Sequence, residues 1–322
     1  MGKVLFIGIG FYDYDLMIQK ELEQMYGQVD YYCETPNSLI YRFWRFNKNE
    51  LKQQQIIQKQ GFLFAKAVAE DYDHVFIIKC EYLSIKALEV IKQKNPNALW
   101  TLYLWDSVKR INLNGKTQFF DRVITFDHHD AEKYKFDFQP LFYRNEFDFK
   151  NLEIEPKDGP ILFLGWYHSD RLDFLMKLID QCQQYDISHR FILFTGRFKY
   201  FHELAMGSGK KVDKSMFAFK SISVPAYAEM MKQARAVIDI HHPGQSGLTM
   251  RTIELVGANK KMITTNQDIS DYDFYHASNM SVIDRDNPVL DVEFLKTPFK
   301  PIKPKIREKY KLSNWVKAIL KE

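Results

Sequence analysis

The sequence predicts an α/β protein of two doubly wound domains. Three observations carry that expectation: a length beyond one ordinary domain, an alternation of short apolar runs with helix-patterned segments, and a polar interruption after which the alternation restarts. At 322 residues, 46% of them hydrophobic, the chain can fill two cores.

The elements follow in order. Val4 to Ile9 reads as a continuous buried strand, Asp15 to Met25 as a helix, and Val29 to Cys33 as a second strand. Asn49 to Ala69 carries Gln, Lys and Leu at helical spacing. His74 to Lys79 is another apolar strand and Ser84 to Lys94 a helix; Leu99 to Trp105 and Arg122 to Phe126 complete the first series. Unbroken apolar strands of this kind belong to parallel sheets covered on both faces.

Between Asn145 and Gly159 the chain turns polar, with acidic residues and a Gly-Pro pair, and reads as a linker. The second series then runs through a strand at Ile161 to Gly165, a helix at Arg171 to Tyr185 and a strand at Phe191 to Thr195. It continues with a helix at Val224 to Ala234, a strand at Ala236 to Ile240, a helix at Thr249 to Val256, and strands at Lys261 to Thr265 and Met280 to Ile283. The expected domains are residues 1–150 and 151–300, with 301–322 as a crossing segment and closing helix. Pro298, Pro301 and Pro304 argue for an extended segment there, and Asn314 to Leu320 for the helix.

Composition narrows the function classes. A net charge of +4 without a concentrated basic stretch gives no reason to expect a nucleic-acid partner. Cys33, Cys80 and Cys182 form neither a metal-type spacing nor a disulfide framework, which suits a reducing cytoplasm. The opening MGKVLFIGIG lacks the features of a signal peptide, and no apolar stretch is long enough to cross a bilayer. The lysine-rich tail has two readings, a solvated strap or a contact with anionic lipid on the inner membrane face. The numerous Phe and Tyr are read first as core.

The most informative stretch is HHPGQSGLTMRTIELVGANKKMITTN, residues 241–266. A strand, a loop with Gly244 and Gly247, and a helix starting near Thr249 together make an anion site, because free N–H groups and the helix dipole point at the ligand. Gln245, Ser246, Gly247, Leu248 and Thr249 line that loop, with Ser246 or Thr249 as its cap. Arg251 falls in the first turn, suited to phosphate oxygens, and Glu254 lies three residues on, suited to a sugar diol.

GLTMRTIE, followed by Gly257 and by Lys261 to Asn266, resembles the donor-binding region of GT-B glycosyltransferases, and is especially similar to the CgeB-type proteins of polysaccharide and lipopolysaccharide biosynthesis. The resemblance implies two Rossmann-like domains facing a central cleft, the first for the acceptor and the second for a nucleotide-sugar donor. It implies that Glu254 holds the nucleotide ribose. Ser246 stands where many retaining members carry a second Glu, so the stereochemical course stays open. The likeness extends to ILFLGWYHSDR, where Gly165, His168 and Arg171 would meet the diphosphate, and to FILFTGR, ending in Gly196 and Arg197.

The first half offers three carboxylates at strand ends as acceptor-side bases: Asp106 in LWDS, Asp13 and Asp127, each with a turn or cap role as the alternative. Lys79 ends a strand nearby, suited either to a phosphate or to a surface position. No metal and no cofactor are expected; GIGFYD lacks the third glycine of a dinucleotide fingerprint, and FDHHD and His241-His242 lack the spacing of a zinc site. The expected activity is transfer of a sugar to a saccharide or lipid-linked acceptor. A sugar-nucleotide epimerase and a non-catalytic nucleotide-sugar-binding protein are the alternatives.

Overall fold

Strands that read as unbroken apolar runs need cover on both faces, and each such run lies in a parallel sheet. The computed structural model describes residues 2–149, 158–168, 170–197, 200, 214–241, 244 and 246–320. The chain divides into two compact units: Met1–Leu141 with Gln245–Gly247 and Leu312–Glu322, and Phe142–Gly244 with Leu248–Lys311. Most of the expected linker, residues 150–157, falls outside the described residues.

The first unit runs β1 (Lys3–Gly8), α1 (Tyr14–Tyr26), β2 (Gln28–Cys33), α2 (Leu39–Phe46), α3 (Glu50–Ala67), β3 (His74–Ile78), α4 (Ile85–Lys94), β4 (Leu99–Leu104), β5 (Arg122–Thr125), α5 (His128–Tyr134) and β6 (Asp137–Phe138). Its sheet has the order β2-β1-β3-β4-β5-β6 with every pair parallel. Ser38, Asn49 and Ser84 cap α2, α3 and α4 by accepting the N–H of Tyr41, Lys52 and Ala87. One face packs Leu5, Ile7, Val75, Ile77, Trp100 and Leu102 against α3 and α4. The chain's last helix, Leu312–Ile319, also belongs to this unit; its fully buried Trp315 meets Phe76, Tyr103 and Trp105.

The second unit runs β7 (Ile161–Trp166), α6 (Arg171–Gln184), β8 (His189–Phe194), β9 (Phe217–Ala218), α7 (Val224–Gln233), β10 (Ala236–Asp239), α8 (Met250–Gly257), β11 (Lys261–Thr264), β12 (Met280–Val282), α9 (Val292–Lys296) and α10 (Pro304–Lys309); Leu312–Ile319 is then α11. Its sheet order is β12-β11-β10-β7-β8-β9, again parallel throughout. Two adjacent buried lysines tie helix ends to β11. Lys260 Nζ donates to the carbonyls of Lys232 and Ala234 at the end of α7, and Lys261 Nζ to those of Phe294, Leu295 and Thr297 at the end of α9.

One sequence expectation needs correction. Pro304 does not extend the chain: it opens α10, at a first-turn position where the missing N–H costs nothing. The segment after β2, to which no element is assigned from sequence, holds helix α2, capped by Ser38.

In a parallel sheet all strands end on one edge, and in the first unit that edge is strained on purpose. After β3, Cys80 N–H bonds the Ile78 carbonyl at 2.9 Å, a γ-turn centred on Lys79. Lys79 and Cys80 both adopt left-handed backbone, with φ of 73° and 56°. Buried neighbours hold this turn in place. The Glu34 carboxylate accepts the N–H groups of Glu81, Tyr82 and Leu83 at 2.8, 3.1 and 3.3 Å, and buried Lys116 donates to the carbonyls of Cys80 and Glu81. Strain of this kind persists only where surroundings over-determine it.

Burial pushes the Glu34 carboxyl up to about 7, although three N–H donors and Lys116 favour its charge. The folded state thus holds this proton more tightly than the unfolded chain, where the ordinary value is 4.5. Its stabilising effect is complete below that value and is lost as pH rises through about 7. Melting temperature should decline between about pH 5 and 7 and level off above. Glu34→Gln should flatten that slope; a slope unchanged in the variant assigns it to other groups.

Candidate functional site

The second unit gathers cations at the carboxyl edge of its sheet. Gly165, the penultimate residue of β7, leaves room for its neighbours: a Cβ there would lie 2.8 Å from the Phe163 ring and 3.3 Å from Arg171 Nη1. Arg171, the first residue of α6, donates to the carbonyls of Trp166 at 3.2 Å and Ile240 at 3.0 Å. Arg251 in α8 donates to Tyr227 Oη at 3.3 Å. Both guanidinium groups sit by the same Phe163 ring, with Cζ 5.9 and 5.6 Å from its centroid. Arg285, after β12, forms a bidentate pair with Asp170, both bonds 2.7 Å, and donates to the His241 carbonyl at 2.7 Å.

The cost of this arrangement appears in Arg171. Burial first, and then the like charges of Arg251 and Arg285, push its guanidinium down to about 10, with Asp239 and Asp170 opposing. Arg171 Nε and Thr195 Oγ1, just beyond β8, are buried with no hydrogen-bond partner among the described residues. Crowded positive charge and unsatisfied polar atoms at a strand edge are the features an anionic ligand would complete.

Helix α8 is aimed by Asp239, the last residue of β10. The buried Asp239 carboxylate accepts from Thr249 Oγ1 at 3.1 Å and Thr252 Oγ1 at 2.5 Å, while Thr249 caps the helix through the Thr252 N–H. Gly257 seats the other end, since a Cβ would lie 2.5 Å from the Tyr143 ring. Glu254, 7% exposed, lies within electrostatic range of Arg251 and Tyr227. The expected grouping of Gly165, Arg171, Thr249, Arg251 and Glu254 is therefore present within this one unit.

Ser246 and Gly247 behave differently from expectation. They group with the first unit, where both N–H groups donate to Asp127 Oδ2, at 3.2 and 3.1 Å, and Ser246 Oγ donates to Oδ1 at 2.5 Å. A carboxylate, not a phosphate, takes these loop amides. A Cβ on Gly247 would lie 2.4 Å from the Phe126 ring, so only glycine fits there. Leu248 is buried. Gln245, with His242 and Pro243, lies outside the described residues.

The three candidate bases of the first unit now separate. Asp127 also accepts the N–H groups of His129 and Asp130 as the cap of α5. Burial would raise its pKa, but these donors, Ser246 foremost, hold it below the usual carboxylate range. Asp13 precedes α1 without capping it; the buried carboxylate there is Asp15, whose Oδ2 accepts the Gly10 N–H at 2.7 Å and the Tyr31 hydroxyl at 2.8 Å. Asp106 is held by Lys79 at 2.8 Å and approached by Arg110 at 3.6 Å. Burial opposes the Lys79 charge, and Asp106 and Glu81 more than restore it.

His168 and Arg197 are exposed, the latter with Cζ 6.0 Å from the Phe219 ring, and a Cβ on Gly196 would meet nothing within 4 Å among the described residues. Residues missed from sequence include Asp239, Arg285, Asp170, Tyr227, Glu34 and Asp15. Asp239 had a visible signal, a lone acid closing the apolar run AVID; Arg285 had none, because its partners are remote in sequence.

No family model and no curated protein matches the sequence. Solved structures do. HepE from Anabaena, in complex with UDP and glucose, aligns with a TM-score of 0.54 at 12% identity, covering 99% of this chain and 98% of that one. The lipopolysaccharide outer core galactosyltransferase WaaB in its apo form gives 0.50 at 13%, with 99% and 96% covered. A putative UDP-N-acetylglucosamine 2-epimerase from Listeria monocytogenes gives 0.54 at 9%, with 99% and 95% covered. At such identities the likeness is one of fold, and it extends over the whole of each unit. Two parallel six-stranded sheets, each covered by helices, give this chain the GT-B fold of two Rossmann-like domains.

Proposed function

We propose that this protein is a glycosyltransferase that moves a sugar from a nucleotide-sugar donor to a saccharide or lipid-linked acceptor in surface polysaccharide or lipopolysaccharide biosynthesis. The carrying observation is the gathering of Arg171, Arg251 and Arg285 at the carboxyl edge of one sheet, the first two on the Phe163 ring, where burial first and then the like charges push the Arg171 guanidinium down to about 10. A diphosphate placed there would relieve the mutual repulsion and satisfy Arg171 Nε. Glu254 would take the ribose hydroxyls of the same nucleotide. The UDP bound in the HepE structure supports a uridine nucleotide as the first ligand to try.

Transfer requires charge to build on the departing diphosphate as the glycosidic bond breaks. Preoriented cations lower the barrier most where that charge develops. In this reading the guanidinium groups supply that stabilisation, and a divalent metal is not required. The acceptor hydroxyl loses its proton to a carboxylate of the first unit. Asp106 suits that role best: Asp127 is filled by five N–H and O–H donors, whereas Asp106 stands beside the strained turn that presents Lys79. The resemblance of GLTMRTIE to CgeB-type proteins supports the surface-polysaccharide setting.

UDP should raise the melting temperature of the wild-type protein by several degrees, because a ligand bound only to the folded state stabilises it. Arg171→Ala and Glu254→Ala should each lose most of that rise; a full rise in both variants would remove the nucleotide from this edge. With radiolabelled UDP-sugar and lipid or oligosaccharide acceptors, Asp106→Asn should retain the thermal rise and lose transfer by about 100-fold or more. Full transfer in that variant would clear Asp106. Conversion of the donor without acceptor would favour the epimerase reading, whose fold the Listeria protein shares.

A further inference from the structure

A helix in a globular protein ordinarily turns its apolar stripe inward. Helix α2 does the reverse. Leu39, Ile40, Phe43 and Phe46 are 81, 64, 58 and 87% exposed, while Tyr41 alone among its residues is buried and fastens the helix to the first unit. At helical spacing Leu39, Phe43 and Phe46 form one stripe, with Ile40 on its flank. Leu51, 74% exposed, continues the apolar surface into the start of α3.

The surroundings of this stripe are basic. Arg42 and Arg45 occupy the helix face beside it, and Lys48 and Lys52 follow, against one acid, Glu50, between Asn37 and Lys52. Arg42 is steadied by Asn37 Oδ1, which leaves its charge uncompensated by a carboxylate in that contact. Aromatic and aliphatic side chains bordered by arginine and lysine are the composition of a helix that lies in the interface of an anionic bilayer.

We propose that α2 docks the protein on an anionic lipid surface, with Leu39, Ile40, Phe43 and Phe46 inserted among the acyl chains and Arg42, Arg45, Lys48 and Lys52 at the headgroups. Charge separates this occupant from a second copy of the chain. A two-fold pairing through α2 would set the same cations against one another, whereas anionic headgroups complement them. The lysine-rich C-terminal segment is a poorer candidate, since Leu312, Trp315, Val316 and Ile319 of α11 are all buried. The inference stands independently of the transferase reading.

Cosedimentation of the full chain with vesicles tests it, using equimolar phosphatidylglycerol and phosphatidylcholine beside phosphatidylcholine alone. The wild-type protein should bind the anionic vesicles and release as salt rises. Phe43→Ser with Phe46→Ser, both at exposed positions, should weaken binding at least tenfold, and Arg42→Gln with Arg45→Gln should abolish the preference for anionic lipid. Failure of the wild-type protein to sediment with anionic vesicles overturns the proposal, as does equal binding by the phenylalanine double variant. A wild-type dimer in velocity sedimentation that the same double variant converts to monomer would assign the stripe to a second copy instead.

Discussion

Arg171 is charged where its burial and the guanidinium groups of Arg251 and Arg285 oppose that charge and Asp239 and Asp170 only partly offset them. The folded protein keeps it there because Gly165 makes room, the Trp166 and Ile240 carbonyls receive two of its N–H groups, and the Phe163 ring supports it beside Arg251. None of these neighbours removes the repulsion. Arg285 is matched by a bidentate carboxylate in Asp170, whereas Arg171 feels Asp239 and Asp170 only through space. Arg171 and Arg251 share one ring, and under the proposed function an anion at this edge would offset the like charges.

The first unit solves a related problem with backbone rather than charge. Two successive left-handed residues after β3 are unfavourable for side chains of this size, and the turn exists because Glu34 and Lys116 bind it from both directions. Its effect is to bring Lys79 to Asp106 and Glu81 at the end of the sheet. Glu34 itself is half a contradiction, since three N–H donors ask for its carboxylate and burial asks for its acid. Each edge therefore stores an unfavourable group that its neighbours hold in place, a pattern found where geometry serves binding more than stability.

The alternation of strands and helices was readable because buried parallel strands leave unbroken apolar runs, and the edges of β1, β3, β4, β7, β10 and β11 fell close to expectation. Helix α2 was missed although Leu39, Phe43 and Phe46 stand at helical spacing after the Ser38 cap, because at eight residues it offers only two turns of that period. Short β6 and β9 carry too few residues for any period to appear. In the site, Thr249, Arg251 and Glu254 were visible through helical spacing from a cap. The engagement of Ser246 and Gly247 by Asp127 was not, since it joins positions more than a hundred residues apart. Local pattern reports what one element does with its own backbone; it is silent about which remote carboxylate claims a loop amide.

That distinction explains why Asp239 matters more than its place in the sequence suggests. It lies at the end of β10, and its two oxygens fix the hydroxyls of Thr249 and Thr252, one turn of α8 apart. Fixing two points on a helix fixes its rotation about the axis. With that rotation set, Arg251 turns toward Phe163 and Tyr227, and Glu254, one turn further on, lies in the field of the same pair. A strand residue thereby decides which face of α8 carries a cation followed by an acid, the order on which the proposed donor site rests.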